Sequence, residues 1–305
     1  MKNQTADKET KKMTEAELAG KLRRLQISQS LCILTAFICG LGCVIVLLIT
    51  RNALTAALLF CAAAACIAGG SALRERKKKL IREQLADFFR SELESAFGPN
   101  RRTPEMNIDR ELMERLGLPC GEWEECSVDN LYEGAHGGIT FSAANVLLEH
   151  VYVVRQAHEG ANTCRKTVFG GIVFRCKTDR SPSAPIRAVM RTDGSPCGIL
   201  TGNAAFDDRF CVTADQNAVS LINPLFAEAF EPLLQSVRGQ VIGMYWEDGV
   251  FTAALETRYG FAVVSDDADQ GDLEAVRRSY RDSLREMGRL TDLVMKNPVL
   301  FPGRD

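Results

Sequence analysis

The sequence is poor in histidine and empty of the short strings that announce a metal, a nucleotide or an activated serine. Three histidines, His136, His150 and His158, stand in 305 residues. A two- or three-histidine metal centre would need nearly all of them to converge. No two of the 11 cysteines are spaced C-x-x-C, so the common zinc and dithiol frameworks are absent as strings. There is no G-x-S-x-G, no H-E-x-x-H and no G-x-G-x-x-G. A basic excess is missing too: the formal net charge is -2, and phosphate contacts to nucleic acid need clustered Lys and Arg. With 46% hydrophobic and 25% charged residues, collagen-like and wholly disordered chains are excluded. No metal, no cofactor and no nucleic-acid partner is expected.

What the chain has in excess is apolar residues in one place. In Leu31–Leu73, 33 of 43 residues are hydrophobic. Residues 31–49 give 19 positions interrupted only by Thr35, Gly40 and Gly42. At 1.5 Å per residue that is roughly 28 Å, enough for a hydrocarbon core of about 30 Å. Residues 53–73 give 21 more without a charge. Thirty hydrophilic residues precede the first run and a second run follows at once, which argues against a cleaved signal. The expectation is a transmembrane helical hairpin. Small residues let membrane helices approach closely. On the first helix Cys32, Ala36 and Gly40 form such a stripe; on the second, Ala53, Ala57, Cys61, Ala65 and Gly69 recur at every fourth position. These are the expected packing residues.

Charge fixes an expected orientation. Lys21, Arg23 and Arg24 precede the first span, and a collar of Arg74, Arg76, Lys77, Lys78, Lys79 and Arg82 follows the second. The loop Thr50-Arg51-Asn52 holds only Arg51. Basic flanks stay inside, so both termini are expected on the cytoplasmic side of the membrane. The collar would serve as a topology signal or gain about 1 kcal/mol per residue from anionic lipid. Residues 83–305 carry -11, so an anionic leaflet should repel the domain beyond the collar. Five cysteines, Cys32, Cys39, Cys43, Cys61 and Cys66, lie in the spans as small apolar residues. Cys120, Cys126, Cys164, Cys176, Cys197 and Cys211 are scattered, as reduced thiols of a cytosolic domain would be.

Four segments follow: a polar part over residues 1–30, the hairpin over 31–73, the collar and an amphipathic stalk helix over 74–98, and one α+β domain over 99–305. In the stalk Ile81, Leu85, Phe88, Phe89, Leu93 and Phe97 recur at helical spacing before Gly98-Pro99. A short helix over 109–116 ends at Gly117. Strands are expected over 145–155, 167–177, 186–191 and 210–213, with a turn over 132–138 and a loop over 178–185. Asn223-Pro224 should open a helix running to Val237. Strands 241–246 and 250–255 flank Asp248-Gly249, a tight-turn pair. A last helix over 272–297 carries Leu273, Val276, Tyr280, Leu284, Met287, Leu290 and Val294 in one line. Hairpins between helices, without βαβ alternation, give an antiparallel sheet with flanking helices.

Several of these segments together resemble a bacterial membrane-anchored family, domain of unknown function thirty-one thirty-seven. Phe169-Gly170-Gly171-Ile172-Val173-Phe174 is similar to its F-x-G string with three apolar residues. Phe210-Cys211-Val212-Thr213-Ala214-Asp215 resembles its F-x-V-x-[SA]-x-D segment. Asn223-Pro224-Leu225-Phe226 is similar to its helix start, and Met244–Ala254 to its late hairpin. Tyr132-x-Gly134 with Gly138-x-x-Phe141 looks like its early one. Where that family often has an acidic residue after the Phe-Ser pair, this chain has Ala143-Ala144, which removes a catalytic candidate. The resemblance implies architecture and no known activity.

His136, in Gly134-Ala135-His136-Gly137-Gly138, is the one catalytic candidate. Glycines let backbone approach a phosphate and histidine moves protons near neutrality; the same glycines also suit a hairpin turn. Asp266, Asp267, Asp269 and Asp272 form an acidic cluster without calcium-loop spacing, and Asp272 suits a helix cap. The expected function is a membrane-tethered cytoplasmic interaction or scaffold domain, with the lipid bilayer and another membrane-associated or cytoplasmic protein as partners. An enzyme with a site near His136 and a small-molecule or lipid-headgroup sensor are the alternatives.

Overall fold

Two long helices, α1 (Glu15–Ile49) and α2 (Ala53–Gln84), open the computed structural model, which describes residues 13–49, 53–156, 160–192, 198–265, 268–269 and 271–303. Both are long and apolar enough to cross a membrane. At 35 and 32 residues they extend about 50 Å, well beyond a bilayer core. By contacts the chain divides into two compact units, Met1–Ser91 with Asp266–Ser279, and Glu92–Ser265 with Tyr280–Asp305.

In the first unit α1 and α2 pack antiparallel along a seam with a seven-residue repeat. On α1 the inward positions are Leu18, Leu22, Leu25, Gln29, Cys32, Ala36, Cys39, Cys43 and Val46, stepping alternately by four and three. On α2 they are Ala56, Leu59, Ala63, Cys66, Gly70, Leu73, Lys77 and Leu80. That rhythm is the left-handed coiled-coil geometry. Ala, Cys and Gly within the apolar stretch bring the backbones close. Cys43 Sγ donates to Ala56 O at 3.3 Å, and a Cβ on Gly70 would lie 3.7 Å from that of Cys32. Two expectations need correction. Ala57, Cys61 and Ala65 are exposed and face away from α1, and Gly40 and Gly69 have open space where a Cβ would stand. Of the expected packing set, Ala36 lies buried in the seam and Cys32 half-buried there. The step of four drifts off a facing helix, whereas alternating four and three keeps to it. The second correction concerns Lys77. It occupies a seam position at 4% exposure, with its ammonium bound to the side-chain oxygens of Gln26 and Gln29.

α2 continues through the collar, and the expected stalk over 80–97 is divided between its end and a second helix. A bend at Leu85 separates α2 from α3 (Ala86–Phe97). The bonds Leu85 N→Ile81 O and Phe89 N→Leu85 O, both 2.9 Å, persist across the bend. Near it Arg277 stacks on Phe88 at 5.3 Å and pairs with Glu15 and Glu274.

The second unit is α+β. After α4 (Arg110–Leu116) come β1 (Glu125–His136), β2 (Ile139–Gln156), β3 (Gly160–Lys177), β4 (Ile186–Met190), α5 (Ala204–Arg209) and β5 (Phe210–Ala214). Then follow α6 (Pro224–Ser236), β6 (Gln240–Glu247), β7 (Val250–Glu256) and α7 (Leu273–Met295), whose residues from Tyr280 onward belong here. The strands form one antiparallel sheet in the order β1-β2-β3-β7-β6-β4-β5. Local chemistry sets the element ends. Asp109 accepts from Leu112 N and Gly117 closes α4 in the left-handed region. Asn223 caps α6 ahead of Pro224. Asp248 and Gly249, both at positive φ, make the β6–β7 turn.

The sheet has two unlike faces. One is aromatic: Phe97 meets Phe141 at 5.0 Å, Phe141 meets Phe174 at 5.7 Å, and Phe230 of α6 meets Phe251 at 5.4 Å. The other packs Leu112, Met113 and Leu116 of α4 on Ala144, Val146, Val173 and Ala254. β2 and β3 run 18 residues each, longer than the sequence pattern indicates. Beyond Glu149 and Thr167 the register pairs them only with each other, and Tyr152 and Val153 are exposed there. The short helix α5, capped by Asn203, is also not apparent from periodicity.

Candidate functional site

His136 ends β1, and Gly137 and Gly138, at φ 58° and 81°, are the two-residue turn into β2. Both torsions positive is the hairpin geometry that favours glycine. The histidine Nε2 lies 3.1 Å from Asp292 Oδ1 on α7, and its ring packs edge-on to Phe97 at 6.0 Å. A Cβ on Gly288 would stand 3.2 Å from the imidazole, and one on Gly137 2.9 Å from Met295 Cε. The glycines therefore let the turn close onto α7, with His136 and Asp292 as its clasp.

The other sequence candidates disperse. His150 Nδ1 lies 3.2 Å from Glu124 Oε1, and Glu124 Oε2 also accepts Val151 N at 2.6 Å. That backbone N–H holds the Glu124 carboxyl below the usual carboxylate range. His158, Cys197, Asp266, Asp267 and the loop at 50–52 lie outside the described residues. Asp269 accepts Gly271 N, and Asp272 accepts Glu274 N at the start of α7. Among the described residues no three His, Cys, Asp or Glu side chains group as a metal site. Of the collar, Arg74, Arg76, Lys79 and Arg82 are exposed, Lys78 is half-buried and Lys77 is enclosed; Lys79 also lies 3.8 Å from Glu83.

One constellation escapes sequence reading because it exists only in the sheet register. Directly opposite residues of paired strands share a face. Crossing the sheet from β1, Glu133 opposes Ser142, which opposes Arg175, which opposes Thr252. Thr252 opposes Tyr245, Tyr245 opposes Arg187, and Arg187 opposes Thr213. Seven strands thus carry one polar row on the α4 face, and it is buried from Glu133 to Tyr245.

Most of this row is satisfied. Glu133 accepts Thr103 N and Thr103 Oγ1, and Ser142 Oγ donates to Met106 O at 2.6 Å. Arg187 Nε donates to Thr213 Oγ1 at 3.3 Å. Burial, with the Glu247 carboxylate beside it, pushes the Tyr245 phenol up to about 12. Arg115 Nη1 donates to Glu247 Oε2 at 3.0 Å. The centre differs. Arg175 donates through Nη1 to Asn107 O, but its Nε and the neighbouring Thr252 Oγ1 are buried without any partner. Burial, with Arg115 nearby, lowers the Arg175 pKa. The available sequence signal was a single arginine inside an apolar strand, as in Phe174-Arg175-Cys176 and Ile186-Arg187-Ala188.

An open cleft of about 470 Å³ sits toward the other end of β3 and β7, among Thr167, Gly170, Gly239, Glu256 and Tyr259. It shares no residue with the polar row or with His136. Comparisons with protein-family models, with curated proteins and with solved structures find no match.

Proposed function

We propose that this chain is a two-pass protein of the bacterial inner membrane, with both termini cytoplasmic, whose α+β unit is a tethered, non-enzymatic interaction domain. The observation that carries the reading is the outer surface of the α1–α2 pair. Phe37 is 69% exposed and Leu48 76%, and Ile33, Leu34, Leu41, Leu54, Leu58, Phe60 and Ile67 are exposed around them. A core helix of a soluble protein would bury such side chains, each worth about 1.5–3 kcal/mol; here the seam takes the small residues and the large ones point out. Lipid is the solvent that fits. The basic residues flanking both spans support the orientation, and the segment-wise resemblance to the membrane-anchored family supports the same architecture.

The topology is tested by an impermeant maleimide on spheroplasts carrying Asn52→Cys in a variant otherwise free of accessible thiols. Labelling before permeabilisation is expected, and labelling only afterwards would overturn the orientation. In-cell crosslinking of the full chain with mass spectrometry tests the interaction role. The same protein recovered across replicates at native expression is expected; none recovered counts against it. A second reading, a sensor that takes a small ligand on the sheet, is favoured by the partnerless polar atoms of Arg175 and Thr252.

A further inference from the structure

We propose that the polar row on the α4 face of the sheet is a binding site for a small oxyanion, a phosphate or carboxylate group, seated on Arg175 Nε and Thr252 Oγ1. The inference develops the sensor reading and does not depend on the membrane tether.

Two orphaned atoms carry it. Buried polar groups in native folds nearly always have partners, so an exception calls for an absent water or ion. Here the orphans are neighbours: Arg175 and Thr252 are directly opposite on β3 and β7, Arg175 at 9% exposure and Thr252 at none. Both can donate. The arginine's Nη1 is taken by Asn107 O, which leaves the Nε edge. The Nε edge is one at which a guanidinium takes two oxygens of a carboxylate or phosphate.

The surroundings favour an anion over water. Arg115 and Arg187 lie near enough to act on Tyr245, and the Glu247 carboxylate already serves Arg115. Arg175 is a buried cation whose hydrogen bond goes to a neutral carbonyl, with the Asp109 and Glu247 carboxylates acting on it only through space, an arrangement that a directly bound anion completes. The backbones of Arg175 and Arg187 lie three strand spacings apart, about 14 Å, with Thr252 and Tyr245 as the floor between them. α4 is the roof. Asn107 just before it holds Arg175, Arg115 in its last turn holds Glu247, and its closing Gly117 lies against Arg187 Nη1, where a Cβ would stand 2.8 Å away. Burial falls off toward β4 and β5, where Arg187 and Thr213 are half-buried, and at Arg115, whose side chain is 43% exposed, so these are the sides from which a ligand would enter.

The test uses the purified full chain in detergent micelles. Inorganic phosphate and succinate are titrated separately, with ionic strength held constant by chloride, and read by thermal shift and calorimetry. A saturable rise in Tm with at least one anion is expected, and the anion that gives it identifies the group. Thr252→Val, which keeps the shape and removes the hydroxyl, should weaken binding about tenfold. Arg175→Met should abolish it, with near-UV circular dichroism confirming the fold. Should Arg175→Met not fold, Thr252→Val and Arg187→Gln carry the test. No saturable response to either anion up to about 10 mM would overturn the site, leaving the orphans to water. So would a response unchanged in the folded variants. These readouts involve neither topology nor a protein partner, so their failure is separate from failure of the tether.

Discussion

Lys77 offers the sharpest test of the helix seam, because the sequence reads it as a lipid-facing cation and the structure encloses it. Its ammonium is bound by Gln26 and Gln29 across the α1–α2 interface. Replacing a buried, paired charge by an apolar side chain of similar size is often neutral or stabilising by about 1–4 kcal/mol. Lys77→Met should therefore hold or raise hairpin stability. Removing the acceptors does the reverse. Gln26→Leu with Gln29→Leu leaves the ammonium enclosed without hydrogen bonds, a loss of about 1–3 kcal/mol or more. The triple variant should recover most of that loss. Burial is the main reason that the Lys77 pKa lies below its ordinary value of 10.5; Asp269 opposes the shift and Arg74 adds to it. The sign follows. Between the lowered folded value and 10.5 the unfolded chain binds more protons than the folded one, so stability rises with pH through that window. Lys77→Met should lack this alkaline rise. The assay is SDS titration of the full chain in mixed micelles, followed by far-UV circular dichroism at stepped alkaline pH. A large loss in Lys77→Met, with Gln26→Leu and Gln29→Leu neutral, would refute an enclosed ammonium.

Three further outcomes are expected. Ala63→Leu should weaken the same unfolding transition by about 1–3 kcal/mol through overpacking, whereas Ala65→Leu should leave it unchanged, since Ala63 faces α1 and Ala65 does not. A Cβ on Gly171 would stand 1.9 Å from Leu255 O, so Gly171→Ala must part β3 from β7; faster amide exchange in Ile172 and Leu255 by hydrogen–deuterium mass spectrometry checks it. Asn145 donates to Phe261 O at 2.8 Å and accepts Phe261 N at 2.7 Å. Asn145→Ala should cost about 1–3 kcal/mol, seen as a lower Tm of the α+β unit, and protease should cut sooner near residue 261.

What was readable in the chain is what local chemistry decides. Asp109 and Gly117 bound α4, Asn223-Pro224 opens α6, and Asp248-Gly249 turns β6 into β7, each by a conformational preference confined to a few residues. The apolar line from Leu273 to Val294 likewise announces α7. The seam was misread for a physical reason. Residues 53–73 hold so many alanines that a row of small residues can be drawn at several spacings. The discriminating signal lies outside the apolar run, where Leu18, Leu22 and Leu25 already step by four and three. Strand order depends on pairings between distant segments, such as β3 with β7, and no window along the chain contains both partners.

The polar row shows the same limit and also why it is informative. Its seven residues are spread over Glu133–Thr252, and each alone reads as an ordinary polar interruption of a strand. Only antiparallel register aligns them. Chance interruptions would scatter over both faces and rows, and each would need its own partner beneath α4 or in solvent. Here seven of them, one per strand, fall in a single row, and the two that the protein leaves unsatisfied are adjacent. An apolar side chain at position 175 would leave no buried guanidinium to satisfy. An arginine kept there, with its Nε edge empty beside a buried hydroxyl, makes sense when something charged completes it. The anion titration is therefore the experiment on which a specific role for the α+β unit turns.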